Sequence, residues 1–555
     1  MAGAGFRENR QLRPETEIRV KSRIHDTGDS MLPTGPIRAL ITRLIILTVV
    51  VASFTPGFVA AMSAREVASV PSLALYDAIL PDFRDDIYAQ TSDLLPIYDV
   101  SASFNLSASG PSTITGTTRL AYVNFTDAAQ NVVHLRLYPN APTYLEGGMV
   151  LDDVRVSGEQ VSPQHLEDNT LVAISLPRTL APGDHIDLTI QFTSTIPFER
   201  NQSYGMFGFD QEAAAFNLAH WQPLLTGWTP GIGWYTGPLD MRGDPVFSNA
   251  ALFSVQLQAP SELVFATTGV STSAVEMGNV TVHRWESGPS RDFVMLANPN
   301  FLIAEGLAGE TVVRSFYTPE TAEIADDVLD MATASLEIFN DLFGPYPYRE
   351  FDLAEAYIGP RAAGVEFPGL AYISRNLYDI ENPNLEFTIV HEVAHQWWYA
   401  MVGNNQYLHA FLDESLSNYV SIVYIELRYG PEAADEAVTR FLKRSYFAAL
   451  FGAGGDQIVN QPTASFPSDR SYGRIVYGKG ALGMQAIRQA IGLDAFNQAL
   501  TNYAALHRFG VALPADLLNA FEQASNSDLS ALWRHWFEAA EGEQDFVPAD
   551  LVEIT

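Results

Sequence analysis

Cysteine is absent from all 555 residues. That excludes disulfides and thiolate-bound metals, and it leaves imidazole and carboxylate as the metal-binding groups. Basic residues are also scarce: 32 Lys+Arg stand against 65 Asp+Glu, a formal net charge of −33. Eight of the basic residues precede residue 44 beside five acidic ones, so the remainder holds 24 against 60. Such an acidic surface repels phosphate backbones, which argues against a nucleic-acid partner, and it attracts cationic peptides within a Debye length. A solvated coat serving solubility accounts for the same charge. There is no internal repeat or low-complexity tract, and composition leaves the oligomeric state open.

Long hydrophobic runs are few. The run LIILTVVVASFTPGFVAAMSA, Leu44 to Ala64, follows Arg38 and Arg43. Residues 37–64 therefore read as an export signal or a membrane anchor behind a leader at 1–36, in which Met31 is an alternative start. Pro56-Gly57 interrupts the run and Val59-Ala60-Ala61 offers a small-residue cleavage site, which favours a cleaved signal over a span. Under either reading the basic flank stays inside. The rest of the chain is then extracytoplasmic, secreted or anchored, and touches a membrane through this segment alone.

A chain of this length exceeds one core. Residues 65–97 are irregular in pattern and read as a connector. From Tyr98 to Ala304, alternating stretches such as VSASFNLSAS, LVAISLP and HIDLTIQFTS between Gly/Pro/Asn/Asp turns predict an antiparallel β-rich domain. A Trp-, Gly- and Pro-rich loop interrupts it near His220 to Asp244. Residues 305–541 then turn largely helical, leaving 542–555 as a tail. The helix around Ile324 to Phe339 carries a broad apolar stripe and stops at Gly344-Pro345. The strand-like FDLAEAYI and the loop GPRAAGVEFPGLAYIS follow. Asn382-Pro383 opens a helix that Gly403 closes, and another runs from Asp413 to Tyr429. The fold class is multidomain α+β.

The chemistry centres on HEVAHQWW. On a helix, His391 and His395 at i and i+4 lie on one face about 6 Å apart, close enough to share one metal ion while Glu392 projects beside it. Eighteen residues separate His395 from Glu414, which opens the next helix. Two neutral imidazoles and one carboxylate make a three-ligand catalytic zinc set with an open position for water, and Glu392 is the candidate general base. A lone histidine on such a helix reads as a hydrogen-bonded core residue, but this spacing points to metal instead. Trp397 and Trp398 read as core packing on the flank of the helix.

HEVAHQWW followed by FLDESLSNY resembles the zinc aminopeptidases of the gluzincin group, peptidase family M1, whose pattern is H-E-x-x-H, eighteen residues, then Glu. The resemblance extends to Ala363-Gly364-Val365-Glu366-Phe367, in the place of that family's G-x-M-E-N loop, and to Tyr477-Gly478-Lys479-Gly480, matching its Tyr-x-Lys-Gly. It implies one Zn2+ per chain and a saddle-like β domain before a thermolysin-like catalytic domain with α/β and helical lobes. It also implies that Glu366 binds the free α-amine of a peptide substrate beside Gly364 and Val365, and that Tyr477 supports the oxyanion. Two departures stand out. Val365 and Phe367 replace the Met and Asn of the loop, and the region Tyr204 to Gln222 offers no match for a second amine-binding Glu or Gln. The large helical domain of bigger members is not in this sequence, so a more open cleft is expected. The expected activity is a zinc-dependent aminopeptidase. The rivals are a zinc endopeptidase of the same fold and a non-catalytic peptide-binding module.

Overall fold

Strand Ser112–Val123 and strand His185–Ile196 alternate buried and open positions, and their inward residues Ile114, Leu120, Leu188, Ile190 and Phe192 close one face of a sheet. This follows from the two-residue period of the extended chain. The computed structural model describes residues 72–107, 110–198, 206–359, 362–452 and 454–546. The leader, the run Leu44–Ala64 and residues 547–555 lie outside them. Among the described residues no helix is long and apolar enough to cross a membrane.

The large sheet has eight strands, in the order Val270–Met277, Val280–Ser290, Ala251–Pro260, Ile97–Asn105, Ser112–Val123, His185–Ile196, Gly148–Val156, Glu159–Gln160. Its neighbours are antiparallel except Ile97–Asn105, which lies parallel to Ala251–Pro260. Smaller sheets pack against it around Trp221, Phe253 and Phe293. The chain then changes sheets between Asn298 and Leu302. Strands Leu302–Ala308, Thr311–Tyr317, Glu350–Ala356, Leu370–Ser374 and Gly364–Phe367 form a separate five-stranded sheet.

Helix Ala325–Phe343 covers this second sheet. Its Val328, Leu336 and Phe339 share a core with Ile389, Val393 and Trp397 of the metal-binding segment. Each such side chain stabilises by about 1.5–3 kcal/mol on burial. Trp397 and Trp398 are fully buried, with Trp397 Nε1 donating to the Gly344 carbonyl at 2.9 Å, as their reading as core required.

Three local expectations change. The stretch read as an irregular connector contains helix Pro81–Thr91, begun by Pro81 and pinned by the buried Ile87, and its Leu75, Tyr76 and Ile79 join the catalytic core. GVEFPGLAYIS is a β-hairpin, not a loop: Gly369, at φ 72°, turns strand Gly364–Phe367 back against Leu370–Ser374. The helix from Pro383 ends at Ala394, well before Gly403. Beyond it the amides of Ala400, Met401 and Val402 reach back five residues to the carbonyls of His395, Gln396 and Trp397, so a wider turn replaces the α-helix.

Arg291 ties the β domain to that turn. Its buried guanidinium donates to the carbonyls of Tyr399 at 2.5 Å, Met401 at 3.1 Å and Gly510 at 2.6 Å. Burial pulls its pKa down to about 10. A Cβ on Gly403 would run into this guanidinium, so the close approach is what requires glycine there.

Candidate active site and metal centre

Asn382 caps the helix Pro383–Ala394 by accepting from the Asn384 amide, which fixes where its turns begin and so the face that carries His391 and His395. His391 Nε2 lies 3.1 Å from His395 Nε2 and 3.2 Å from Glu414 Oε2, and His395 Nε2 lies 3.4 Å from the same oxygen. The His395 Nδ1–H donates to the Trp398 carbonyl at 2.9 Å, which leaves the Nε2 lone pair directed at the cluster. Asp413 accepts from the Glu414 amide at 2.8 Å and sets that carboxylate at the head of helix Glu414–Tyr429.

These donors fit zinc. Bonds of about 2.0–2.1 Å in a tetrahedron put neighbouring ligand atoms about 3.3 Å apart, which is the spacing observed. The three are also the donor set expected from the sequence, and they lie at most 10% exposed at the side chain.

Glu392 comes from the same helix and is 4% exposed, with its Oε2 unpartnered among the described residues. Its donor atom lies within 4.8 Å of those of His395 and Glu366. A Cβ on Gly364 would collide with the Glu392 carboxylate, so strand Gly364–Phe367 passes directly against the candidate base. Val365 is buried on this strand and packs with Phe367 and Tyr372. Burial, and then the facing carboxylate of Glu366, push the Glu392 pKa well up; burial, and then Asp244, do the same for Glu366. For Glu414, burial pushes upward, but the adjoining imidazoles of His391 and His395 outweigh it and hold the carboxyl below the usual range.

Tyr477 lies on a wide helical turn, Arg474–Gly480, and its hydroxyl donates to Glu414 Oε1. Its backbone is stitched to the Glu414 helix: Asn418 Nδ2 donates to the Tyr477 carbonyl and Ser415 Oγ to that of Val476, each at 2.7 Å. His391, His395, Glu414, Glu392, Glu366 and Tyr477 therefore come together with Gly364 against Glu392, while Val365 packs into the neighbouring core.

Sequence reasoning missed two contributors. Gln396 accepts from the Gly369 amide at 2.8 Å and donates to the Phe367 carbonyl at 3.1 Å, clamping the hairpin turn to the metal-binding segment. Its place directly after His395 was the available signal. Asp244, from the β domain, offers a carboxylate oxygen within 4.8 Å of those of Glu366 and Glu414. It stands downstream of the Tyr204 to Gln222 region searched for a second amine-binding group, and no motif marks it.

Residues 328–536 match the peptidase family M1 domain. The chain carries a peptidase family M1 domain. It is 27% identical over 308 residues to aminopeptidase M1-B of Oryza sativa subsp. japonica, a match covering 53% of this chain and 34% of that protein. It is 28% identical over 234 residues to aminopeptidase N of Lactobacillus delbrueckii subsp. lactis, covering 38% of this chain and 26% of the relative. The chain thus spans about a third or less of the length of these relatives. Among solved structures, an M1 zinc metallopeptidase from Deinococcus radiodurans superposes with a TM-score of 0.57 at 17% identity, over 80% of this chain and 93% of that one. A mutant of that enzyme bound to a Tyr-Ser-Ala substrate gives 0.56 over 82% and 95%. The M1 metallopeptidase fold, a β-rich domain before a mixed α/β and helical peptidase domain, is the fold class expected from the sequence.

Proposed function

We propose that this protein is a zinc-dependent aminopeptidase that removes N-terminal residues from peptides. The observation that carries the reading is the convergence of three metal-ligand atoms within 3.4 Å of one another with Glu392, Glu366 and Tyr477 around them.

His391, His395 and Glu414 hold the ion. A bound Zn2+ supplies a Lewis acid for the scissile carbonyl and lowers the pKa of water to about 7. Glu392 takes the proton of the attacking water and returns it to the leaving amine. Tyr477 turns its hydroxyl from Glu414 to the oxygen on which charge develops, a contribution of about 3 kcal/mol for one preorganised donor. Glu366 receives the α-ammonium of the substrate in a desolvated setting, where a carboxylate–ammonium contact is strong, while Gly364 and Val365 present the strand edge to the peptide.

A fluorogenic aminoacyl panel, assayed with and without chelator and after zinc return, tests this. Turnover abolished by chelation and restored by Zn2+ supports the proposal; hydrolysis that chelation leaves intact overturns it. The run Leu44–Ala64 behind Arg38 and Arg43 supports action outside the cytoplasm, secreted or anchored. Fractionation of cells expressing the full chain checks that, and activity confined to the cytosol contradicts it.

A further inference from the structure

Gln396 directly follows the metal ligand His395, is fully buried, and takes no part in holding the metal. Its side chain runs instead to the hairpin that carries Glu366. There strand Gly364–Phe367 turns back through Pro368 and Gly369, with Phe367 opposite Leu370 and Glu366 opposite Ala371. The two central residues of such a turn stand outside the strand ladder. Pro368 has no N–H to give, so the Gly369 N–H is the one donor at the centre of the turn, and the Phe367 carbonyl, with two lone pairs, is an acceptor beside it. A primary amide matches both. Gln396 Oε1 accepts from the Gly369 amide at 2.8 Å, and its Nε2 donates to the Phe367 carbonyl at 3.1 Å. A carboxylate in its place offers acceptors alone, and an alkyl side chain offers neither group.

Both ends of this bridge are firm. On one side the Ala400 amide donates to the His395 carbonyl at 2.9 Å and the Met401 amide to that of Gln396 at 3.3 Å, while Arg291 holds the carbonyls of Tyr399 and Met401. On the other the Gly369 carbonyl accepts from the Asp352 amide at 2.9 Å, which ties the turn to strand Glu350–Ala356. Glu366 stands one residue before the bridged Phe367, and His395 one residue before Gln396. The expected amine anchor and the metal site are thus joined through a single carboxamide. Gly364 abuts Glu392 at the far end of the strand, and Gln396 fixes the end nearer Glu366.

We propose that Gln396 is a positioning residue: its carboxamide locks the hairpin turn to the metal-binding segment and so sets the distance from Glu366 to the metal, which decides the bond that lies over the ion. This deepens, and rests on, the aminopeptidase reading. In an α-amino acid one carbon separates the ammonium from the scissile carbonyl, so an anchor held at one distance selects that spacing. A β-amino acid has a second carbon between them and moves the carbonyl by up to about 1.5 Å, the length of a C–C bond. A misplacement of about 1 Å costs about 10²-fold in rate. A firm clamp therefore discriminates between the two, and a loose one does not.

Gln396→Met keeps the length of the side chain and removes both bonds; Gln396→Glu keeps the one from the Gly369 amide. Zinc-loaded wild type and variants are compared on L-alanyl and β-alanyl 4-nitroanilide. A variant that only lowers the amount of folded enzyme slows both substrates alike, whereas a loosened hairpin moves their ratio. For Gln396→Met the expected result is a kcat on the L-alanyl substrate at least about tenfold lower, with KM changed less than about threefold because Glu366 still binds the amine. The ratio of L-alanyl to β-alanyl cleavage falls at least about tenfold, and Gln396→Glu lies between. Should Gln396→Met fold poorly, Gln396→Glu takes its place. A wild-type ratio in the variants overturns the proposal. A wild-type protein that cleaves an N-acetylated peptide as fast as the free one instead overturns the aminopeptidase reading. Hydrogen exchange at the Gly369 amide in the same zinc-loaded proteins then decides the clamp alone: faster exchange there in the variant, with helix Pro383–Ala394 unchanged, upholds it, and wild-type exchange refutes it.

Discussion

The Cα of Gly364 faces the carboxylate of Glu392 across a gap that no side chain can enter. The hairpin strand that presents the substrate edge and the helix that presents the base are thus in contact at their working residues. Gly364→Ala forces one of the two to move. Overpacking of this kind costs about 1–3 kcal/mol, and here the strain falls on the base. We expect kcat to drop about tenfold or more with zinc content unchanged, measured by steady-state kinetics beside metal analysis; unchanged kcat contradicts the contact.

Glu392 shares no hydrogen bond with the three metal ligands, so its removal separates chemistry from metal binding. Glu392→Gln is expected to keep full zinc occupancy and substrate affinity while kcat falls about 10²–10⁴-fold, the range for loss of a general base. Turnover near wild type would falsify the role given to Glu392.

Tyr477 touches Glu414 and, by the proposal, the developing oxyanion. Tyr477→Phe is expected to lower kcat about 10²–10³-fold with little change in KM. The same variant removes a hydrogen bond to a metal ligand, an interaction whose loss typically weakens metal affinity about 10–100-fold. Kinetics at saturating zinc distinguish the two effects: a kcat restored by excess metal would reduce Tyr477 to a support for Glu414.

Behind Tyr477, Lys479 is fully buried, and its ammonium donates to Asp456 at 3.1 Å and to the carbonyls of Gln457 and Ala539 at 2.7 Å. Burial pulls its pKa down, against the pull of Asp456. Asp456→Ala would leave that charge buried without its counter-ion, a change that typically destabilises by about 3–5 kcal/mol. Thermal or denaturant unfolding should show the loss; an unchanged midpoint would mean that the two carbonyls alone suffice.

The metal site was legible in the sequence because its geometry is local. His391 and His395 are one helical turn apart, and Glu414 opens the next helix behind the cap of Asp413, so spacing alone brings the three together. The alternation in the β domain and the stripe on helix Ala325–Phe343 were legible for the same reason, since burial imposes the period of each element. Other parts depend on tertiary contact. GVEF reads as a loop until strand Leu370–Ser374 pairs with it, and Gln396 gains meaning only once Phe367 and Gly369 lie within reach. Asp244 arrives from another domain, on a segment held in part by Arg136 through the Tyr235 and Gly237 carbonyls, which carry no sequence signature.

The central claim, that metal-activated hydrolysis here proceeds from a free N-terminus, is tested most directly by mass spectrometry of one unblocked peptide and its N-acetylated twin digested by the zinc-loaded enzyme. The account predicts a ladder of products from the unblocked peptide, each one residue shorter at the N-terminus, and an intact acetylated twin. Internal cleavage of both peptides at equal rates would contradict it.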